Sequence, residues 1–357
     1  FYDPDMHNVS WKKIYELYRP YVDKTKNIYD VALIIEEMIG DINASHTGFY
    51  PRDEYNPFTL PAAWLGAELD YSTVLEEGIR LSRIYPNSRL SSVYHLPEGC
   101  LLTSIDGVKI TKYTALDSLL AGKIGKKIKL TVNQEGIITE AVITGLSYTQ
   151  MSDLRYDYQV AQKKKQVEEL SQGKLGYIHI PAMGEEDWQK FYSDFSVDNY
   201  TKEALVIDVR GNTGGHIHDQ LITLLQKTKY AYSSSRRYSR YLHPEPYNIW
   251  DKPSIVLVNE NSFSDGEIFP TVYQELKLGK VVGTPSSGAV IGTWHYYLQD
   301  GSSMRMPGTG WYKLDGTNME GNGVQPDIVV ELTPEDIIAE RDPQLIRAVQ
   351  ELMKVLK

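Results

Sequence analysis

Two largely apolar runs in the second half of the chain, each with a single polar residue, constrain its fold more than any other feature. Residues 204–209 read ALVIDV and residues 254–258 read SIVLV, and each run is followed by a polar or glycine-rich turn and then a helical pattern. Continuous apolar strands are typical of parallel sheets covered on both faces, whereas half-exposed strands alternate. The sequence therefore predicts a layered α/β domain in this half of the chain.

The first half of the chain shows two other patterns. Residues 1–45 carry apolar side chains at helical spacing, with Ser10 as the predicted N-cap of the first helix and Pro20 as its predicted end. From residue 58 to residue 147 short strand patterns with turn signals take over. We therefore predict three parts: an N-terminal helical region over residues 1–56, a β-rich domain over 57–148 and the α/β domain over 149–357.

Charge and the lengths of the apolar runs exclude some partners. The formal net charge is −10, which argues against nucleic acid as a partner, because a phosphate backbone would be repelled. No apolar run approaches the ~20 residues of a membrane-spanning helix, so we expect no membrane span.

The cellular compartment is left open by the sequence. Cys100 is the only cysteine, so no intramolecular disulfide can report on redox conditions. The sequence starts with Phe1 rather than Met, and we expect a fragment that lacks an upstream portion together with any targeting signal. An extracytoplasmic location is favoured over a cytoplasmic one.

A serine lies between the second apolar run and the helix that follows it. Such a junction exposes a side chain at the carboxyl edge of the strand, near N–H groups that no helix hydrogen bond uses. Ser264 could therefore attack a carbonyl while the Asp265 N–H stabilises the oxyanion. The alternative is local: Ser264 and Glu267 also match a Ser-x-x-Glu capping box, in which the serine only caps its helix.

The first apolar run ends in a glycine-rich turn, residues 208–215 (DVRGNTGG). Glycines let a backbone approach a ligand closely, and their N–H groups can bind an anion. A phosphate-binding loop is excluded because the lysine and serine/threonine of that motif are absent, and the dinucleotide spacing G-x-G-x-x-G is not met. An oxyanion hole needs only one or two such N–H groups.

A serine nucleophile needs a base, and the chain has eight histidines. His46 lies in a predicted loop beside Ser45. His216 and His218 follow the glycine turn next to Asp219, which leaves a metal site as an alternative, although no third ligand is evident. We expect neither a metal nor a cofactor.

Several segments resemble motifs of the tail-specific serine peptidase family S41, and especially its tricorn type. The similar segments are residues 41–48 (DINASHTG), 208–215 (DVRGNTGG), 262–269 (SFSDGEIF) and 319–328 (MEGNGVQPDI). Residues 98–107 (EGCLLTSIDG) resemble the PDZ domains of bacterial proteases. The resemblance covers essentially the whole chain and implies a crotonase/ClpP-like α/β core with a PDZ-like insert.

The resemblance also implies an activity and a catalytic tetrad. The activity is hydrolysis of peptide bonds, in peptides or unfolded proteins, through an acyl-enzyme. Ser264 is the implied nucleophile and His46 the implied general base, and Ser45 and Glu320 orient and polarise the imidazole.

The implied oxyanion hole consists of the Gly214 and Asp265 N–H groups, with Gly215 as the alternative to Gly214. Related enzymes often use a Ser–Lys dyad, but no lysine follows Ser264 before Lys277, so a Ser–His arrangement is preferred.

Two functions of other classes stay open. One is a non-catalytic peptide-binding or scaffold protein that keeps the PDZ-like module. The other is a small-ligand binder or lyase, because a shared fold does not fix function. Assembly into a homo-oligomer is also left open.

Overall fold

The computed structural model describes residues 1–52, 60–75, 77–238 and 242–356. It forms two compact units, Phe1–Asp53 with Lys164–Lys357, and Glu54–Lys163. The predicted domain boundary between residues 56 and 57 lies outside the described residues. In chain order the helices and strands are α1 (Trp11–Val22), α2 (Ile28–Gly40), β1 (Gly48–Tyr50), β2 (Ala67–Leu75), β3 (Gly78–Ile84), α3 (Arg89–Ser92), β4 (Leu101–Ile105), β5 (Val108–Lys109), α4 (Leu116–Leu120), β6 (Lys127–Gln134), β7 (Ile137–Thr144), α5 (Tyr148–Ser171), β8 (Leu175–His179), α6 (Glu185–Asp194), β9 (Ala204–Asp208), α7 (His218–Leu225), β10 (Ala231–Ser233), β11 (His243–Glu245), β12 (Ser254–Val258), α8 (Asp265–Glu275), β13 (Lys280–Gly283), β14 (Ile291–Tyr297), β15 (Ser303–Gly310), β16 (Ile328–Val329), α9 (Pro334–Ile338) and α10 (Pro343–Val355).

A five-stranded parallel sheet forms the centre of the first unit, in the order β16-β13-β12-β9-β8. Every residue of β9 and β12 is buried, as expected for strands covered on both faces. Side chains of α6, α7 and α8 share one apolar core with these strands, and α10 packs against β9, β12 and β13. These observations confirm the predicted α/β domain.

The two central strands bring two turns together. Because β9 and β12 are adjacent and parallel, their carboxyl ends lie at the same edge of the sheet, where α/β proteins commonly place their sites. The Phe263 N–H donates to the Asn212 carbonyl (2.9 Å), and the Gly211 N–H donates to the Asn259 side chain (2.9 Å). The glycine turn and the segment before α8 are therefore bonded to each other.

Buried ion pairs anchor the turn after β9. The Arg210 guanidinium binds Asp208 (2.6 Å) and Asp342 at the start of α10 (2.9 Å), and the Tyr177 hydroxyl donates to Asp208 (2.8 Å). Removing one partner of such a pair leaves an uncompensated buried charge, typically at a cost of ~3–5 kcal/mol. The ion pairs therefore fix the point at which the strand ends and the glycine turn begins.

The N-terminal helices belong to the same unit. α1 and α2 contact each other, and Ile14 and Ile39 are their buried residues. The prediction that Pro20 ends the first helix is wrong, because α1 continues to Val22. The proline lies in the last turn of α1, where the loss of its N–H removes only one helix hydrogen bond.

A three-stranded antiparallel sheet, β1-β15-β14, holds the loop that follows α2. Gly48 of β1 pairs with Arg305 of β15, and β1 starts shortly after His46. The sheet therefore fixes His46 next to β15.

The second unit is an antiparallel sheet in the order β2-β3-β4-β6-β7, with β5 paired to β4. Its apolar core includes the fully buried Ile79, Leu81 and Leu102. The Arg155 guanidinium is bound to both carboxylate oxygens of Glu68 (2.6 and 3.0 Å). Among the described residues of both units, no helix is long and apolar enough to cross a membrane.

Candidate active site

Ser264 lies in the sharp turn between β12 and α8. Its φ and ψ angles are 56° and −119°, a combination that L-residues rarely adopt and that costs ~1–3 kcal/mol. Its side chain makes no capping hydrogen bond, and an N-cap residue normally has extended backbone angles. Of the capping box, the bond from the Ser264 N–H to Glu267 is present (3.3 Å), but the Ser264 hydroxyl caps no N–H group of the helix.

The Glu267 carboxylate holds the Ser264 turn in place. It is fully buried and accepts the N–H groups of Gly288 (2.7 Å) and Ala289 (2.8 Å), and two serine hydroxyls of the same segment donate to it as well. The Ser264 N–H donates to this carboxylate (3.3 Å) and to the Ala289 carbonyl (3.1 Å). The sequence pattern predicts Glu267 only as half of a capping box, and these partners, which lie about 20 residues further along the chain, have no local signal.

Ser45, His46 and Glu320 form a hydrogen-bonded chain. The Ser45 Oγ lies 2.8 Å from His46 Nδ1 and donates to Glu320 Oε2 (2.9 Å). Glu320 also accepts the N–H groups of Ser45 (2.7 Å) and Val290 (2.8 Å). These bonds bring residues of the loop after α2 together with residues near the C-terminal end of the chain.

The hydrogen-bond pattern fixes the tautomer of His46. A hydroxyl has a single proton, and the Ser45 hydroxyl gives its proton to Glu320. The contact between Ser45 Oγ and His46 Nδ1 therefore needs a proton on Nδ1. Nε2 is then unprotonated and able to accept a proton, which is the state a general base requires.

The His46 ring is buried against the nucleophile segment. It is 7% exposed and stacks on the Phe263 ring at a centroid distance of 4.3 Å. Nε2 is buried and has no hydrogen-bond partner among the described residues. Burial, together with the nearby Arg305 guanidinium, lowers the pKa of His46 from 6.5 to about 4, so the imidazole is neutral near pH 7.

The glycine turn lies directly against Ser264. Gly214 has a φ of +85°, and a Cβ at this position would lie 2.6 Å from the Ser264 Cβ. Its N–H donates to the Asn212 side chain (2.8 Å). The Gly215 and Asp265 N–H groups have no partner among the described residues, so they are free to bind an anion.

His218 is bound to a carboxylate of the site. Its Nδ1 is hydrogen-bonded to Asp265, and the two groups form an ion pair when His218 is protonated. His216 and Asp219 are exposed. Within the described residues, no group of three metal-ligating side chains is found.

Family models match two parts of the chain, and Ser45 and His46 lie outside both. The model of peptidase family S41 matches residues 174–330, which include Ser264 and Glu320, and the model of the tricorn protease C1 domain matches residues 1–40. The chain belongs to peptidase family S41. This S41 chain is 31% identical, over 98% of its length, to tricorn protease homolog 1 of Streptomyces coelicolor. It is 30% identical, over 97% of its length, to the tricorn protease of Thermoplasma volcanium.

The fold of this S41 chain is shared with a solved relative. A crystal structure of the tricorn protease matches it with a TM-score of 0.85 at 29% identity, over 97% of this chain and 34% of that chain. The match confirms the mixed α/β fold. The chain spans about a third of the length of the relatives it matches.

Proposed function

We propose that this chain carries the catalytic site of a serine peptidase that cleaves peptides or unfolded proteins through an acyl-enzyme. One observation carries the proposal: the Ser45 hydroxyl bridges Glu320 and His46 Nδ1. This bridge leaves Nε2 as a buried acceptor without a hydrogen-bond partner among the described residues, on a ring that stacks on Phe263, the residue before Ser264 in the sequence.

The first step forms the acyl-enzyme. Ser264 Oγ attacks the carbonyl carbon of the scissile bond while His46 Nε2 takes its proton. The imidazolium that forms is stabilised by Glu320 acting through the Ser45 hydroxyl, in the role that a carboxylate plays in a serine triad. His46 then returns the proton to the leaving amine. In the second step His46 takes a proton from water, the water oxygen attacks the ester carbonyl, and His46 returns this proton to Ser264 Oγ as it leaves.

The oxyanion of each tetrahedral intermediate needs preorganised donors. We propose the Asp265 N–H and an N–H of the glycine turn for this role. The expected turn donor is Gly214, but its N–H already donates to Asn212, which supports Gly215 as the alternative. Each such donor typically contributes ~3–4 kcal/mol to the stabilisation of the transition state.

Labelling with a fluorophosphonate probe tests this proposal. We expect the wild-type protein to be labelled covalently, because an activated serine displaces fluoride from phosphorus. Ser264→Ala is expected to abolish the label, and Ser262→Ala, which alters a buried neighbour in the same segment, is the matched control. An unlabelled wild type would favour a non-catalytic peptide-binding protein, and equal labelling of Ser264→Ala would contradict the role of Ser264 as the nucleophile.

The acid limb of the pH profile is a second expected result. Because burial and Arg305 lower the pKa of His46 to about 4, the base stays neutral well below its ordinary range. We expect kcat/KM to hold on acidification and to fall only as the pH passes through about 4. In Arg305→Gln the pKa of His46 rises and the limb moves to higher pH. A wild-type limb at the ordinary histidine pKa would contradict this prediction, provided that circular dichroism shows a folded protein throughout.

For the second unit, we propose that residues 57–148 form a PDZ-like domain that binds peptide termini. β2 is an outer strand of its sheet, and a cavity of about 690 Å³ is lined by Ala67, Leu69 and Tyr71 of β2 and by Leu120 of α4. The lining also includes the charged Glu68, Asp117 and Arg155, and an outer strand beside such a mixed cavity suits a peptide that binds as an additional strand.

A further inference from the structure

The carboxylate of Asp265 joins the first turns of two helices. It is 1% exposed and belongs to the first residue of α8, but its partners are Ile217, the residue before α7, and His218, the first residue of α7. Oδ2 accepts the N–H groups of Ile217 (2.8 Å) and His218 (3.1 Å), and Oδ1 is bonded to His218 Nδ1. Asp265 therefore accepts N–H groups at the start of α7 that no helix hydrogen bond satisfies.

The bonded residues follow directly on the glycine turn. Gly214 and Gly215 lead into Ile217 and His218, while the Asp265 N–H belongs to the residue that carries the carboxylate. The Asp265 side chain therefore fixes the glycine turn, with its free Gly215 N–H, relative to the Asp265 N–H. A displacement of α7 from α8 would separate them.

His218 supplies the charge that strengthens this connection. Its hydrogen bond to Asp265 is the main cause that raises the pKa of His218 above its ordinary value, with Asp219 as a smaller contributor and burial opposing the shift. Asp219 Oδ1 lies 3.7 Å from His218 Nε2 and is largely exposed. The Trp311 ring contacts the imidazole in a T-shaped arrangement at a centroid distance of 5.4 Å.

We propose that Asp265 and His218 are positioning residues that set the spacing of the two oxyanion-hole donors. This inference rests on the proposed peptidase function. Neither side chain is required to contact the substrate: the pair acts through the main chain of its neighbours. Its loss should weaken binding of the tetrahedral intermediate and leave binding of the ground-state peptide almost unchanged.

The test compares kcat, KM and the inhibition constant of a peptide aldehyde. Ser264 Oγ adds to the aldehyde carbonyl, its proton passes to His46, and the new oxyanion occupies the hole, so this inhibitor reports on the donors. For Asp265→Ala we expect kcat on a fluorogenic tripeptide amide to fall by roughly 10²-fold, with a similar loss of aldehyde affinity and a KM within about threefold of wild type.

Conservative variants keep the proposal testable if Asp265→Ala does not fold. Asp265→Asn retains one acceptor for the α7 N–H groups and should lose only about tenfold in kcat, and His218→Asn should show an intermediate loss. Asp336→Ala removes a capping carboxylate from α9 of the same unit and should leave kcat unchanged.

Wild-type kcat and aldehyde affinity in Asp265→Ala would overturn the positioning role, as would a loss confined to KM. Failure of the wild type to react with the fluorophosphonate probe would overturn the proposed function itself, so the two failures can be told apart.

Discussion

Replacing His46 by alanine is expected to lower kcat for peptide hydrolysis by on the order of 10⁵-fold. In such a catalytic unit, removal of one member costs about as much activity as removal of all of them. In the variant nothing in the described site can take the Ser264 proton, since Nε2 is the buried acceptor beside Phe263. The measurement is single-turnover cleavage of a fluorogenic peptide, with thermal unfolding to verify the fold.

The control for this prediction is another histidine of the same unit. His243 lies in β11 and is exposed, so His243→Ala should retain wild-type turnover. Comparable turnover in His46→Ala would mean that another group is the base, whatever the labelling of Ser264 shows.

The sequence predicted the parts of this site that follow from strand pattern and motif. β12 was expected over residues 254–258 and is observed there, because a continuous apolar run between turns has few other uses in a mixed α/β chain. The pairing of β9 with β12 then brings the glycine turn beside Ser264. Neither Ser45 nor Glu320 is marked by such a pattern, and their selection depended on the family resemblance.

The sequence did not predict what the two carboxylates in the first turn of α8 bind. Asp265 and Glu267 both match the helix N-terminal pattern, which is local, whereas their partners are far away along the chain at Ile217 and Ala289. A capping preference is worth only ~1 kcal/mol, and burial of a carboxylate demands several donors regardless of their position in sequence. Tertiary packing therefore decided the role of both residues.

The sequence also could not decide between Gly214 and Gly215 as the donor from the glycine turn. The segment 208–215 identifies the turn, but only the side-chain conformation of Asn212 shows that the Gly214 N–H is already hydrogen-bonded. Neighbouring glycines look equivalent in the sequence because neither has a side chain that would distinguish them.

Glu320→Gln is the other substitution with a large expected effect, a fall in kcat of roughly 10³-fold. A carboxylate that contacts the imidazole directly contributes ~10⁴-fold in serine triads. Glu320 is separated from the imidazole by the Ser45 hydroxyl, so we expect a smaller effect. The carboxylate accepts three donors, two from Ser45 and one from Val290. A glutamine offers one acceptor oxygen, so its amide would face donors while the imidazolium loses its countercharge.

A double-substitution cycle with Ser45→Ala decides whether Glu320 works through the serine hydroxyl. Residues of one hydrogen-bonded chain are not additive, so Ser45→Ala with Glu320→Gln should lose little more than the larger single loss. KM should stay near wild type, because neither side chain is proposed to contact the peptide. Multiplicative losses would show that Glu320 supports activity by a separate route, such as the Val290 N–H that it also binds.

Glu335→Gln, which changes an exposed acid of α9, is the charge-matched control and should have no effect. A cycle with this outcome would assign the polarising charge to a carboxylate that never contacts the imidazole, because the only bond that joins Glu320 to His46 within the described residues passes through Ser45 Oγ.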